Sequence, residues 1–335
     1  MTVNVGVIGV GMIGQDHIRR LTTVLPGANV VAISDVDPSQ AEAVASQLTG
    51  AKVYAKGQDL IVAPEVEGVI VASWGPTHAA YVLAAIAAGK PVLCEKPLAT
   101  TEADCSAIID AETAYGRRLA QIGFMRRFDS QYLAMKDVIE SGAIGAPLIF
   151  QSVHRNASVS AHYTGDMALT DTAVHDIDIA RFLIDDEPVA ISVRAPRRSS
   201  RAGDIADPLL TIVDMRSGAL VVIETSVNIA YGYDIRGEII GETGTVSLAE
   251  RNDVVVKANG AFMGRVPVDW RDRFAAAFEA EFRAWLAAAA KGGAAGPSSW
   301  DGYVATVASA AGVKAMATGE REPISLRARP KLYAA

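Results

Sequence analysis

Cysteine and aromatic residues are scarce in this chain of 335 residues. Its two cysteines, Cys94 and Cys105, are too few for a disulfide framework and are not spaced like metal ligands, so we expect reduced thiols. Aromatic residues make up 6% of the sequence, but half of it is hydrophobic and 21% is charged, a balance that is typical of globular proteins and excludes intrinsic disorder. At about 150 residues per domain, the length predicts two domains.

Long apolar runs and runs of basic residues are also missing. The longest apolar run, residues 79–88, is far shorter than the ~20 residues of a membrane-spanning helix. A formal net charge of −7 disfavours nucleic acids and anionic membranes, so neither is expected as a partner. Residues 1–5 lead directly into a strand pattern with no basic n-region or cleavable apolar segment, and we expect no signal peptide, a cytoplasmic location and a small-molecule partner.

Short apolar runs alternate with helical patterns through the first 120 or so residues. Continuous apolar strands that alternate with helices are typical of a parallel sheet covered on both faces. We therefore expect an α/β fold that begins with a Rossmann dinucleotide-binding domain over residues 1–122. The predicted strands are residues 5–8, 30–34, 69–72, 91–94 and 119–124.

After about residue 145 the pattern changes to strands with few helices between them. Turns at residues 216–218 and 242–244 have the composition of hairpin connections. We expect residues 123–335 to form an α+β domain for substrate binding and oligomerisation, built on a large, mostly antiparallel open sheet. Its last helices are candidates to pack back on the Rossmann domain. The strands are predicted at residues 189–193, 209–215, 219–227 and 235–240, and the helices at residues 171–183, 272–290 and 300–318.

A glycine-rich turn, Gly9-Val10-Gly11-Met12-Ile13-Gly14, directly follows the first predicted strand and opens a helix. In a dinucleotide-binding turn the first glycine permits the tight bend, the second lets the backbone approach the pyrophosphate, and the third allows the helix to pack against the strand. The helix N-terminus then faces the phosphates. The motif, with the backbone of Met12 and Ile13, predicts a dinucleotide site; the alternative is a purely structural glycine turn.

Asp35 ends the second strand, 21 residues after Gly14, and would accept hydrogen bonds from the adenosine ribose hydroxyls. A 2′-phosphate would meet this carboxylate, and residues 36–39 offer no arginine or lysine to offset the repulsion. The cofactor is therefore predicted to be NAD, with NADP open only if a basic side chain from elsewhere reaches the site.

Five further segments resemble those of one oxidoreductase family. Taken with the glycine turn and the two-domain plan, they make the whole chain similar to the Gfo/Idh/MocA family, and within it to the bacterial inositol dehydrogenases. Glu95-Lys96-Pro97 is typical of the broad family. The segments Gly123 to Asp129 and Asp171 to Asp176 are typical of the inositol branch. These segments are Glu95-Lys96-Pro97, Gly123 to Asp129, His154-Arg155-Asn156, Asp171 to Asp176, and Gly296 to Tyr303.

Oxidation of a secondary alcohol needs a base for the hydroxyl proton, and histidine titrates closest to neutral pH. Asp171 and His175 are four residues apart on a predicted helix, so the carboxylate can orient the imidazole. The residues alone leave open that they are a helix cap and a surface histidine, and that Lys96 is a solvated lysine. The resemblance implies that all three are catalytic, with Lys96 bonding to the reacting oxygen; which of Lys96 and His175 takes the proton first stays open.

The resemblance also implies residues around the cofactor and the substrate. His17, in the helix after the glycines, is expected to pack or to lie beside the cofactor, and Arg127 to form a salt bridge or to touch substrate. Structural roles remain the alternative for the polar substrate residues. The implied cofactor residues are Ser73, Trp74, His78, Glu95 and Lys96, and the implied substrate residues are Lys96, Met125, Arg126, His154, Asn156, Asp171, His175 and Tyr233.

The expected reaction is NAD-dependent oxidation of a secondary hydroxyl of a cyclic polyol, with myo-inositol giving a 2-keto product. The alternatives are another neutral polyol or sugar, such as scyllo- or chiro-inositol, a glucose-like pyranose or an anhydrosugar, and a non-catalytic NAD-sensing regulator. A metal site built from His154, His162, Asp171 and His175 matches no zinc spacing, and no metal is expected. The resemblance implies a homo-oligomer, a tetramer or a dimer.

Overall fold

A computed structural model describes residues 2–249 and 255–334. The chain divides into two compact units. The first comprises Met1–Met125, Phe278–Thr306 and Arg327–Ala335, and the second comprises Arg126–Ala277 and Val307–Leu326. No helix formed by the described residues is long and apolar enough to cross a membrane.

The first unit contains a six-stranded sheet in which every strand pair is parallel. Its strands are β1 (Val3–Ile8), β2 (Ala28–Ser34), β3 (Lys52–Val53), β4 (Gly68–Val71), β5 (Val92–Cys94) and β6 (Ala120–Ile122). Their spatial order, β3-β2-β1-β4-β5-β6, is that of the Rossmann fold, as predicted. The strand order reverses between β1 and β4, which is where such sheets bind their ligands.

Local sequence accounts for several helix ends in this unit. The helices are α1 (Met12–Arg19), α2 (Pro38–Ala45), α3 (Gly57–Val62), α4 (His78–Ala87) and α5 (Glu102–Tyr115). Asp37 caps α2, because its carboxylate accepts from the backbone N–H of Ser39 and Gln40. Thr101 caps α5 in the same way, and Gly89 follows α4 with a φ of +68°.

The core of the first unit lies between the sheet and the α8 helix (Trp270–Ala289). Val5, Val7 and Ile70 of the sheet belong to one buried cluster with Phe282 and Trp285 of α8. All five side chains are fully buried. Apolar surface removed from water is the dominant stabilising contribution to such a core.

The second unit contains a seven-stranded sheet in the order β12-β11-β7-β10-β9-β8-β15. Only β7 and β10 pair in parallel, so the predicted mostly antiparallel sheet is confirmed. The unit's described elements also include the helices α6 and α7, and α9 supplies residues to both units. The bounds are α6 (Ser130–Glu140), β7 (Pro147–Arg155), α7 (Val174–Ile184), β8 (Pro188–Arg194), β9 (Leu209–Met215), β10 (Leu220–Ser226), β11 (Asp234–Gly241), β12 (Thr245–Ser247), the hairpin β13 (Val256–Ala258) and β14 (Ala261–Met263), α9 (Ser299–Thr318) and β15 (Glu322–Pro323).

The predicted helix over residues 171–183 is wrong at its start. Ala168–Ala173 form a π-helical turn, and the α-helix begins only at Val174. Asp171 therefore lies in the π turn while His175 lies in the first turn of α7. Such π turns are rare and frequently occur at functional sites.

Candidate cofactor and substrate sites

The glycine turn after β1 is fixed by backbone contacts that only glycine allows. Gly9 has a φ of +89°, and a Cβ at this position would lie 2.5 Å from the backbone of Ser73. A Cβ on Gly14 would lie 2.0 Å from the carbonyl oxygen of Gly9. The first and third glycines thus bring β1, the start of α1 and the loop after β4 into close contact.

The second glycine fits the phosphates of a dinucleotide. Gly11 is the N-cap of α1, and a Cβ there would meet no described atom within 4 Å. Among the described residues no side chain caps α1, and its first turn contains no acidic residue. The backbone N–H groups of Met12 and Ile13 lie in this first turn, where the helix dipole favours an anion. The turn can therefore hold a pyrophosphate.

Asp35 follows β2 and is half-buried beside this turn. Its Oδ2 accepts from the backbone N–H of Val10 at 2.7 Å, and its Oδ1 accepts from that of Asp37 at 2.9 Å. Each oxygen of an ionised carboxylate has two acceptor positions, so both retain capacity for a ribose hydroxyl. The next residue, Val36, is fully exposed and was missed by the sequence analysis. An apolar side chain beside the ribose position suits an adenine ring.

The loop after β4 presents Trp74 to solvent, with 77% of its surface exposed. The hydroxyl groups of Ser73 and Thr77 are 2.7 Å apart. His78 is buried, and its ring nitrogens lie 2.6 Å from the carbonyl oxygen of Pro97 and 2.9 Å from that of Ser73. His78 thus links this loop to the turn after β5, while any contact with a cofactor remains a prediction.

Glu95 and Lys96 form the turn after β5. Glu95 is buried, and its Oε1 is 2.7 Å from Nε2 of His17. Burial raises the pKa of the Glu95 carboxyl, but the hydrogen bond from His17 and the neighbouring Lys96 charge hold that pKa below its ordinary value. Lys96 is half-buried. The structure therefore shows His17 packed inside the unit, as one of the sequence alternatives had it.

In the second unit a buried ion pair joins the arginine segment to α7. Nη1 of Arg126 is 2.6 Å from Oδ1 of Asp176, and both side chains are fully buried. The same Oδ1 accepts from the Ser152 hydroxyl at 2.6 Å, and Oδ2 is 2.8 Å from Nδ1 of His154. Burial raises the pKa of the Asp176 carboxyl, but Arg126 and His154 outweigh it and hold that pKa well below its ordinary value.

His154 lies between groups of opposite hydrogen-bonding character. Its Nδ1 is 2.8 Å from Oδ2 of Asp176, which can only accept, and 2.9 Å from Nη2 of Arg126, which can only donate. A proton on Nδ1 satisfies the carboxylate, and a proton on Nε2 lets Nδ1 accept from the arginine. Nε2 is 3.4 Å from the hydroxyl of Tyr233. Burial raises the pKa of Tyr233 to about 12, so its hydroxyl keeps its proton at neutral pH and can donate.

The structure brings three predicted substrate residues of the second unit together. The ring centroid of His154 is 6.2 Å from that of His175 and 5.7 Å from that of Tyr233. His175 and Tyr233 are both buried, and Asp171 is half-buried one turn before His175. A basic ring nitrogen beside two other polar rings is suited to handling the hydroxyl groups of a substrate.

The remaining predicted residues take more local positions. Asn156 is half-buried after β7, and its backbone N–H donates to Ser226 at 2.8 Å. Met125 is buried in the 3₁₀ turn Met125–Phe128. Arg127 forms a salt bridge with Asp178 at 2.6 Å, one of the two roles predicted for it.

Asp176 is the important residue that the sequence analysis missed. It directly follows His175, and the sequence feature that could have indicated its role is this second carboxylate in the histidine segment. Its partners come from β7 and from the turn before α6, so only the folded chain shows what it does. Among the described residues no group of three or more His, Cys, Asp or Glu side chains could hold a metal ion.

Comparisons with known proteins agree with this geometry. A family profile described as "Oxidoreductase family, NAD-binding Rossmann fold" matches residues 3–124, and the "GFO/IDH/MocA C-terminal domain" profile matches residues 132–247. The chain is 49% identical to inositol 2-dehydrogenase 3 of Saccharopolyspora erythraea over 99% of its length and 98% of that protein's. It is 48% identical to inositol 2-dehydrogenase of Azotobacter vinelandii over 100% and 99% of the two lengths.

A solved structure extends the likeness to the fold of the whole chain. The myo-inositol dehydrogenase of Lactobacillus casei, crystallised with NAD(H) and myo-inositol, is 37% identical, with a TM-score of 0.97 and full coverage of both chains. The glycine turn, the uncapped α1 N-terminus and Asp35 fit the same cofactor. This chain belongs to the Gfo/Idh/MocA oxidoreductase family, and it is an NAD-dependent dehydrogenase that acts on CH–OH groups.

Proposed function

We propose that this dehydrogenase oxidises myo-inositol at one secondary hydroxyl and releases the 2-keto product. The observation that carries the proposal is the full-length similarity, at 48–49% identity, to proteins named for inositol 2-dehydrogenation. The polar groups clustered in the second unit also suit a substrate rich in hydroxyl groups and without charge.

We assign cofactor binding to the first unit. Gly11 and the first turn of α1 hold the pyrophosphate, Asp35 accepts from the adenosine ribose, and Val36 and Trp74 offer apolar surface. NAD supplies the hydride acceptor when bound. A 2′-phosphate would place a second negative charge against the Asp35 carboxylate, which favours NAD over NADP.

We assign the proton chemistry to Lys96, Asp171 and His175. His175 takes the proton of the reacting hydroxyl, and Asp171 orients the imidazole and stabilises its protonated form. Lys96 donates a hydrogen bond to the reacting oxygen and stabilises the negative charge that develops there. The order in which Lys96 and His175 handle the proton is open to experiment.

We assign recognition of the other hydroxyl groups to Arg126, His154, Asn156 and Tyr233, with Met125 providing apolar contact. The charge of Arg126 is balanced by Asp176, so this part of the site presents little net charge to a neutral polyol. Nε2 of His154 and the Tyr233 hydroxyl lie 3.4 Å apart and supply two hydrogen-bonding groups side by side. A site of several such groups distinguishes stereoisomers by leaving polar atoms unsatisfied in the wrong one.

NADH formation with a panel of substrates tests the proposal. The panel contains myo-, scyllo- and chiro-inositol, glucose, xylose and levoglucosan, each with NAD in excess. We expect myo-inositol to give the highest kcat/KM. If a pyranose gives a kcat/KM more than about tenfold higher, a difference of about 1.4 kcal/mol in transition-state stabilisation, the proposed substrate is wrong. The assignments of cofactor and fold are then unchanged.

A further inference from the structure

A buried chain of charged and polar side chains runs through the first unit from α1 to the turn after β5. Nη2 of Arg20 donates to Oδ2 of Asp16 at 2.5 Å, and Nη1 of Arg20 is 3.1 Å from Nδ1 of His17. Nε2 of His17 is 2.7 Å from Oε1 of Glu95. Oε2 of Glu95 accepts from the backbone N–H of Lys96 at 3.3 Å. The chain therefore ends on the backbone of the lysine that the proposed mechanism uses.

The partners of His17 fix the direction of these hydrogen bonds. Arginine can only donate, so Nδ1 of His17 accepts from Arg20. The neutral ring then carries its proton on Nε2 and donates it to Glu95. Nδ1 of the imidazole thus acts as an acceptor and Nε2 as a donor, and rotating the ring would break both hydrogen bonds.

The surroundings leave this arrangement little freedom. His17 is fully buried, and the centroid of its ring lies 4.6 Å from the ring centroid of Phe282 and 5.7 Å from that of Phe278. The Arg20 guanidinium lies 4.8 Å from the centroid of Phe278. A Cβ at Gly123 would lie 2.9 Å from Oε2 of Glu95, so the carboxylate occupies the space beside this glycine.

We propose that His17 is a positioning residue for the dehydrogenase reaction, which acts through Glu95 to hold the backbone of Lys96. The inference rests on the proposed role of Lys96 in the Proposed function. It also gives Glu95 a supporting task in addition to the cofactor contact that the sequence resemblance implied. A displacement of about 1 Å at a reacting group can cost about 100-fold in rate, so such a support affects kcat.

The substitutions His17→Leu and His17→Gln separate positioning from packing. Leucine removes the donor to Glu95, whereas the glutamine amide keeps an N–H near the position of Nε2. We expect His17→Leu to lower kcat by at least about tenfold while the Kd for NAD changes by less than about twofold, and His17→Gln to recover most of kcat. The measurements are kcat and KM for the polyol at saturating NAD, Kd for NAD by fluorescence titration, and Tm.

Gly123→Ala tests the same chain from its other end and serves if His17→Leu does not fold. Its methyl group displaces the Glu95 carboxylate, and we expect the same loss of kcat without a loss of NAD affinity. Glu112→Gln is the matched control. Glu112 is another buried carboxylate of the first unit, and it accepts hydrogen bonds from Leu119, Ala120, Ser299 and Tyr333, so this variant should lower Tm and leave kcat unchanged.

The outcomes distinguish this inference from the proposed function. If the wild-type chain oxidises the polyol and both His17→Leu and Gly123→Ala keep the wild-type kcat, the inference alone is overturned. His17 is then a packing residue that affects only Tm. An increased Kd for NAD at unchanged kcat would also overturn it and leave Glu95 with the cofactor contact alone. A wild-type chain that oxidises no member of the substrate panel would overturn the proposed function and, with it, the inference.

Discussion

Asp35 has two tasks at the level of the single residue. It accepts backbone N–H groups of the glycine turn and of residue 37, and in our proposal it also accepts the ribose hydroxyls. Asp35→Ser removes the negative charge and shortens the side chain that carries the acceptor atoms. Because a hydrogen bond to a charged group contributes about 1.5–3 kcal/mol, we expect NAD to bind about tenfold or more weakly and the preference over NADP to narrow.

Asp37→Ser is the matched control for this measurement. Asp37 is a neighbouring carboxylate, but it caps α2, and serine is an equally good cap. Its Kd values for NAD and NADP should match those of the wild type. Equal selectivity in Asp35→Ser and wild type would show that Asp35 does not face the ribose.

His175 carries the proposed proton transfer. General base catalysis contributes about 10²–10⁴-fold, so we expect His175→Ala to lower kcat by that factor while Kd for NAD is retained. His162→Ala is the control, since His162 is exposed and would affect turnover only in the metal-site alternative. Near-normal turnover in His175→Ala would remove the base assignment.

Individual residues differ in how far the sequence reveals them. Gly9 has a positive φ and Gly14 packs against the carbonyl oxygen of Gly9, so the local spacing of the glycines indicates both positions. Asp176 and the His17–Glu95 pair act on partners 22 to 78 residues away in the chain. No local pattern encodes such a pairing, and only the folded chain shows it.

At the scale of the elements, periodic segments were predicted well and irregular ones were not. The strands β9 and β10 and the hairpin between them match the prediction because their apolar alternation is regular. The strand β7 was missed, since charged and polar residues at its end mask the alternation, although it lies inside the second sheet, between β11 and β10. The π turn was read as α-helix because both conformations share the same composition.

Glu112 joins several elements of the first unit. Its Oε1 accepts from the backbone N–H groups of Leu119 and Ala120 before and at the start of β6, and its Oε2 accepts from the hydroxyls of Ser299 and Tyr333. A buried donor that loses its acceptor costs about 1–3 kcal/mol. We expect Glu112→Gln to reduce the free energy of unfolding by about 2 kcal/mol, since its amide nitrogen cannot accept.

Asp110→Asn provides the comparison for Glu112→Gln in urea unfolding. Asp110 lies on the same helix, but its side chain is 63% exposed and pairs only at the surface with Arg327. Exposed pairs contribute about 0–1 kcal/mol, so this variant should remain close to wild type. Equal stability of the two variants would mean that Glu112 is not a stabilising connection between elements.

At the scale of the whole molecule, the second sheet has one face that packs against α7 and an outer face rich in aliphatic side chains. Register pairs Ile212 of β9 with Val222 of β10. Leu210 and Leu220 lie on the same side of these strands, opposite Glu224 and Asp214, and all four aliphatic side chains are partly exposed. Ile149 of β7 is the partner of Leu220 in the parallel pair and faces the same side. Exposed aliphatic side chains grouped on one face of a sheet favour a contact with another protein surface.

We propose that a second copy of the chain covers this outer face in a homodimer or homotetramer. Light scattering at micromolar concentration should then give a multiple of the monomer mass. Val222→Lys places a charge at the centre of the face and should shift the mass toward the monomer, since an unpaired charge is costly to bury. Leu133→Lys is the control, because Leu133 is an exposed apolar residue that lies on α6 and not on the sheet. The mass of this variant should equal that of the wild type. A wild-type monomer would contradict the assembly, and an unchanged oligomer in Val222→Lys would place the interface on another surface.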